Sequence, residues 1–454
     1  MSELKYFKKY LFYKEKYLEL QKGGYPKDNI TKLDDDTQSQ ILKFLTQKEA
    51  VKLSNTSSLN LQVTQNYRGC DMEPVEIGLL DWKQKFPNSQ CIFLNERYDL
   101  YSVDFQYLVG IKKIKINRLT HLRDNGINYL IDVEELNISN CNSITGNGFL
   151  NLINLKKLEI NNCRRLIDIP CQNLTHLTDL SITNCNLFIN NSFNHLINLK
   201  KLNLKDCDQI TDNGFNYLTS LEELKIESCS RITDNVFNNL GNLKKLILNY
   251  CPNVTDTGFN YLTGLEELEI RSCFRITNNL FKNLVNLKKL RLNYCYNITD
   301  NIFQYIKNLE ELTIVNCNNI RNDGFINLKN LIEFNIQSSE NVTNEVFSHL
   351  KNLKILGLYT SEQITVEAFQ YLINLEELLI ITSLITNDAF INLCKLKKLY
   401  INNCNNLTDE IFHYIINLEE LHIDNCKKIK NNTFPELINL KKIQVYNDDY
   451  YDDI

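Results

Sequence analysis

The residue types able to do chemistry in this 454-residue chain are its 15 cysteines and six histidines. Cysteine falls at Cys141, Cys163, Cys185, Cys207, Cys229, Cys251, Cys273, Cys295 and Cys317, a constant step of 22, and again at Cys404 and Cys426 after a one-residue deletion. Such a series could ligate metal, form disulfides or supply nucleophiles. A zinc centre needs three or four converging nitrogen and sulfur ligands. The histidines, His121, His176, His195, His349, His413 and His422, stand at unrelated positions, so no metal site is expected. Distance alone does not forbid disulfides, since stacked strands would hold these side chains roughly 5 Å apart. Ser339, Ser361 and Ser383 continue the same series, however, and serine cannot bridge. The position asks for a small buried residue with modest hydrogen-bonding capacity. That implies unbridged thiols in a reducing, intracellular compartment. There is no glycine-rich phosphate loop and no nucleophile motif. The chain is expected to be no enzyme and to carry no cofactor.

The cysteines are one position of a longer template, L-x-x-L-x-[IL]-x-x-C-x-x-[IV]-T-[DN]-x-x-F-x-x-L-x-N, which is clearest over residues 221–240. A repeat in the twenties with this pattern resembles a leucine-rich repeat, in its cysteine-containing type. What the resemblance implies is an α/β leucine-rich repeat solenoid, a horseshoe of about 16 repeats of 22 residues. In each repeat the L-x-[IL] segment is a short strand with Leu and Ile turned inward and the residues between them facing the concave side. Thr or Asp then caps a short helix carrying the inward Phe and Leu. The register reaches back from Cys141 through Leu119 to Arg97 and forward to a closing strand near Ile443 to Val445. The solenoid is therefore placed at 89–446, with an acidic tail at 447–454.

A second period lies over the first. The pair before the second Leu of the strand segment alternates in sign: Lys200-Lys201, Glu222-Glu223, Lys244-Lys245, Glu266-Glu267, Lys288-Lys289, Glu310-Glu311, and later Glu376-Glu377, Lys397-Lys398, Glu419-Glu420, Lys441-Lys442. Neighbouring strands would set opposite charges side by side, about a few tenths of a kcal/mol per pair. Around Ser339, Ser361 and Ser383 the cysteine, the alternation and finally the 22-residue step all lapse. There the outward positions become Ile355, Gly357, Tyr359, Leu379 and Ile381, with Tyr400 next. An exposed apolar and aromatic cluster is a candidate target-binding surface, with Ile355, Tyr359, Leu379, Ile381 and Tyr400 as its residues. Ordinary repeat drift, or cover by the acidic tail, is the plainer alternative. A weaker second candidate is the row Tyr250, Arg271, Arg291 and Tyr294.

The first 88 residues have a different pattern. Residues 1–29 read as a basic amphipathic helix or arm, with Leu4, Phe7, Leu11 and Leu18 near helical spacing and a stop at Gly23, Gly24 and Pro26. This segment resembles an N-terminal Lys/Tyr/Leu stretch found in proteins of amoeba-infecting giant DNA viruses. Residues 30–67 hold two capped helices: Asp34, Asp35 and Asp36 before Ile41, Leu42 and Leu45, then Thr46 and Glu49 as a capping box before Val51 and Leu53. This resembles an F-box, a small all-α N-terminal domain, although Asp34 stands where the family has Pro and no Trp follows the second helix. The resemblance implies docking on a Skp-type adaptor of a cullin-RING ubiquitin ligase, with Leu33, Ile41, Leu42, Leu45, Val51 and Leu53 as the adaptor-binding surface. The alternative is a helical cap over the open end of the solenoid. Residues 68–88, with Trp82, form an ordered junction.

Net charge is −5 with a pI near 5.8, which disfavours nucleic acid as a general partner. About one residue in seven is Asn, concentrated at turns and repeat edges. No apolar run approaches the roughly 18–20 residues of a membrane span. The combined reading is a protein-interaction protein: a substrate-recognition subunit of an SCF-type ligase that captures an unknown target, monomeric outside its complex, in the host cytoplasm or nucleus if viral. The alternative is a stand-alone binding scaffold.

Overall fold

The computed structural model describes residues 75–381, 384–430, 434 and 437–446. The arm at 1–29, the F-box-like segment with Leu33, Ile41, Leu42, Leu45, Val51 and Leu53, and the tail at 447–454 lie outside the described residues. The chain divides into two compact units, at Leu221 and Glu222.

In the first unit six strands lie parallel and in register: β1 (Cys91–Asn95), β2 (Lys113–Asn117), β3 (Glu135–Ser139), β4 (Lys157–Asn161), β5 (Asp179–Thr183) and β6 (Lys201–Lys205). Parallel pairing follows from the repeat itself, because each strand must return to the same end before the next begins. A helix, α1 (Leu79–Lys85), precedes β1. It buries Trp82 and Phe86 to 1% exposure, with ring centroids 6.2 Å apart, and Val75 N–H donates to the Phe93 carbonyl. The described part of the junction is thus packed.

The second unit holds eleven parallel strands, β7 (Glu223–Glu227) to β17 (Lys442–Tyr446). The expected closing strand is β17. Within every strand but the closing β17 the second and fourth residues are buried and most of the others are half-buried, which is the period-two alternation of the template; in β17 Ile443 is exposed. In several repeats the inward Phe of the return segment packs on its neighbour in the next: Phe303 and Phe325 lie 5.0 Å apart, and Phe237 and Phe259 5.7 Å.

The return segments differ from the expected short helices in kind. Apart from α2 (Asp124–Ile127), they are 3-10 turns such as Asp234–Phe237 and Asp256–Tyr261. Four to six residues between a turn and a strand favour i to i+3 bonding over a full α-turn. The expected Thr cap is present: Thr233, Thr255, Thr277, Thr299 and Thr408 each accept the N–H two residues on.

The cysteine column behaves as a ladder. Cys317 Sγ donates to the carbonyls of Val315 and of Leu292 one repeat back, at 3.3 and 3.5 Å. Ser361 makes the equivalent pair to Tyr359 and Ile336, at 3.1 and 3.2 Å. The ladder cysteines are free and buried. Outside the ladder, at the start of β1, Cys91 is disulfide-bonded. The reading of unbridged thiols therefore holds for the ladder and not for the whole chain, and the compartment inferred from it loses that support. No helix among the described residues is long and apolar enough to cross a membrane.

Candidate functional site

Each repeat turns sharply just before its ladder cysteine. The residue there has positive φ throughout, from Asn140 at 57° to Asn425 at 49°. Asn, Asp and Ser suit this left-handed conformation, which accounts for a small part of the Asn content. A second Asn series, among them Asn286, Asn330 and Asn374, donates to a carbonyl 23 residues back at 3.0 to 3.3 Å. Side chains thus stitch turn to turn while main chains stitch strand to strand.

Against this regular frame the family can be assigned. The sequence matches the description "BspA type Leucine rich repeat region", six copies, over residues 171–256, 230–354 and 350–450. The chain belongs to this leucine-rich repeat family. Leucine-rich repeats of this kind make it a protein-interaction scaffold. No curated protein sequence matches the chain. Among solved structures, it is similar to the TLR13–ssRNA13 complex, with TM-score 0.54 and 22% identity over 79% of this chain and 57% of that one. It is also similar to the glycosylated Drosophila Toll–Spatzle complex, with TM-score 0.50 and 16% identity over 81% and 56%. The yeast Rad7–Elc1 complex follows at TM-score 0.46 and 16% identity over 87% and 94%. The chain spans a little over half the length of the first two.

The leucine-rich repeat sheet of the second unit brings the predicted target-binding residues together. Ile355 and Tyr359 lie on β13 (Ile355–Tyr359), Leu379 and Ile381 on β14 (Glu377–Ile381), and Tyr400 on β15 (Lys398–Asn402). The register pairs Gly357 with Leu379 and Leu379 with Tyr400, while Tyr359 pairs with Ile381. All five point to the open face, but all are half-buried, so the patch is less exposed than a lone outward strand implies. Neighbouring strands cover one another's side chains at this spacing.

What the patch encloses is a cavity of about 410 Å³. Ile355, Tyr359 and Leu379 give its apolar wall, and Arg291, Glu333 and Asn335 its polar wall. Gly357 lets two of its lining residues close in: a Cβ there would collide with Asn335 Oδ1 and come 2.9 Å from the Tyr359 ring. Burial, and then the Glu333 carboxylate, push the Tyr359 hydroxyl pKa up, so it stays a neutral donor. At the far edge Tyr400 stacks on His422, centroids 4.6 Å apart, and donates to Glu420 at 3.3 Å. Burial, and then Lys442, lower the His422 pKa, so its ring is neutral near pH 7. Among the described residues, His422 Nε2 and Asn402 Oδ1 are buried and have no hydrogen-bond partner.

Glu333, which sequence reasoning passed over, sits where the charge ladder fails. Its register neighbours are Glu311 and Ile355 instead of two lysines. Glu311 is taken by Lys289 at 2.8 Å, and Glu333 accepts only Asn335 Nδ2 at 2.7 Å among the described residues. The signal was present as Ile332-Glu333 in place of Lys-Lys. Elsewhere the ladder is closed as expected: Lys245 meets Glu267 at 2.9 Å, and Glu376 bridges Lys354 and Lys397 at 2.9 and 2.6 Å. Among the described residues no cluster of His, Cys, Asp and Glu could hold a metal ion.

Proposed function

We propose that this leucine-rich repeat protein holds a target protein on the β13–β15 face and presents it to a ubiquitin ligase. The observation that carries the first half is the coincidence of three features at one place. The cysteine and charge ladders lapse there, a cavity opens, and apolar residues replace the outward Lys and Glu. A protein side chain of Leu or Phe size fits such a cavity, flanked by a basic group facing Glu333. The second half rests on the F-box-like pattern of residues 30–67, with Leu33, Ile41, Leu42, Leu45, Val51 and Leu53 docking on a Skp-type adaptor of a cullin-RING ligase.

A photo-cross-linking amino acid at Leu379, compared with one at Lys245 in the closed ladder, tests the target face in cells. The reading expects one dominant protein adduct at 379 that Tyr359→Ala removes, and none at 245. Equal adducts at both positions, or none at 379, would sink it. The rival reading, a stand-alone scaffold capped by residues 30–67, keeps the same target face and drops the adaptor.

A further inference from the structure

A second surface lies three strands before the patch, at the ends of β8 (Lys245–Asn249), β9 (Glu267–Arg271) and β10 (Lys289–Asn293). The residues flanking the ladder cysteines are polar in most repeats: Asn140 and Asn142, Asn184 and Asn186, Asp206 and Asp208, Asn316 and Asn318. Around Cys251, Cys273 and Cys295 four of the six are aromatic: Tyr250, Phe274, Tyr294 and Tyr296. All four rings are exposed, by 47%, 58%, 37% and 47%. Successive repeats stand roughly 5 Å apart at the strands, so the four form one aromatic corner.

Tyr250 and Tyr294 reach this corner against local preference. Both hold left-handed backbone, at φ 52° and 55°, where most other repeats place Asn, Asp or Ser. A bulky residue is disfavoured there. Residues that break a local rule without structural return mark functional positions. Neither ring contributes to the core.

The cations at this corner differ from those of the ladder. Ladder lysines are held by glutamates, as Lys245 is by Glu267 and Lys288 by Glu266 at 3.2 Å. Arg271 and Arg275 are exposed and have no carboxylate partner among the described residues. The Arg271 guanidinium lies over the Tyr250 ring, 5.8 Å from its centroid. Arginine is suited to stacking on a ring while presenting its fork to a carboxylate.

We infer that this corner binds an acidic peptide segment bearing an aromatic or apolar side chain, contributed by a partner protein. Arg271 takes the carboxylate, and the exposed rings take the apolar side chain. Single-stranded nucleic acid, which also stacks on rings, is disfavoured by the neighbours. A phosphate chain crossing these strands meets Glu267, Glu269 and Glu311 on their open face, with Glu269 directly opposite Arg291 in the register. A peptide with one or two carboxylates avoids them. The cavity reaches β10 through Arg291, but none of Tyr250, Arg271, Phe274, Tyr294 and Tyr296 lines it, so the corner does not depend on its role.

The test uses the full chain and a phage-displayed random dodecapeptide library, selected on the wild type. The probe is the most enriched peptide, measured by fluorescence anisotropy. Enriched sequences are expected to pair Asp or Glu with Tyr, Phe or Trp. Affinity should fall at least tenfold in Arg271→Ala and in Tyr250→Asn, and stay unchanged in Leu379→Glu. Tyr250→Asn restores the residue type that suits the left-handed turn, so its melting temperature should equal or exceed wild type, which separates lost binding from lost folding. Enriched peptides without acidic bias, affinity unmoved by both corner variants, or loss in Leu379→Glu would overturn the inference. So would an oligo-dT probe that binds more tightly than the peptide and loses binding in the same two variants.

Discussion

Thr255 donates its hydroxyl to Asp234, one repeat earlier, at 2.5 Å, and its backbone N–H to the same carboxylate at 2.7 Å. The T-[DN] pair of the repeat is therefore an inter-repeat clasp, with the Asp of one turn holding the Thr of the next. Asn serves as well: Asn278 accepts Thr299 N–H at 2.9 Å and donates Nδ2 to Thr299 Oγ1 at 2.8 Å.

From this clasp, Asp234→Ala should destabilise the chain by about 1–3 kcal/mol, because two donors of Thr255 lose their acceptor. Asp234→Asn should cost about 0.5 kcal/mol or less, since it reproduces the Asn278 arrangement. Urea unfolding of both variants reads the difference. Equal losses would show that the clasp is not what holds these turns.

The ladder thiols should resist chemistry while the chain is folded. Burial raises the Cys141 and Cys185 thiols to about 11 and Cys163 to about 12, so thiolate is scarce near neutrality. Cys394 is exposed and free. Iodoacetamide at pH 7.5 followed by peptide mass spectrometry should find Cys394 alkylated well before Cys141, Cys163 or Cys185, which react only on unfolding. Early labelling of Cys163 would contradict the buried ladder. Cys317→Ser should cost under about 1.5 kcal/mol, as Ser339 and Ser361 already fill that column, while Cys317→Leu should cost about 1–3 kcal/mol by overpacking.

Stability should fall at acid pH through the charge ladder. Lys397 and Lys354 hold the Glu376 carboxyl at about 2, and Lys288 lowers Glu266. Their folded pKa values lie below the unfolded value of about 4.3. The contribution is therefore present above about pH 4.3 and is lost as pH falls toward 2. Thermal melts across that window should show a decline that Glu376→Gln reduces and high salt flattens, because these pairs are half-exposed and screened. A decline identical in wild type and Glu376→Gln would assign the acid lability elsewhere.

Much of this was legible because it repeats. The Thr and Asp positions, the Cys and Ser column and the Lys and Glu alternation each recur at 22 or 44 residues, and a solenoid turns sequence period directly into contact. The neighbours of Leu379 were legible for the same reason, through a step that places residues of consecutive strands opposite one another. The cavity beside Tyr359 was not. Its lining comes from consecutive strands between Arg291 and Leu379, with Glu333 lacking a lysine neighbour, and these are relationships across strands that no single repeat shows. The half-burial of Ile355 and Leu379 was missed because alternation gives direction and not the cover supplied by adjacent strands. The bond at Cys91 was missed because it lies outside the periodic column that guided the reading of thiols.

The central claim, a target-holding repeat array tethered to a ligase adaptor, is tested most directly by titrating the full chain into a purified Skp-type adaptor in a calorimeter. Three forms are compared: wild type, Ile41→Asp/Leu42→Asp and Leu379→Glu. The account predicts saturable binding for wild type and Leu379→Glu with equal affinity, and none for the double variant, all three having the same melting temperature. No binding by folded wild type, or binding that survives in the double variant, would contradict it and leave the scaffold without its ligase.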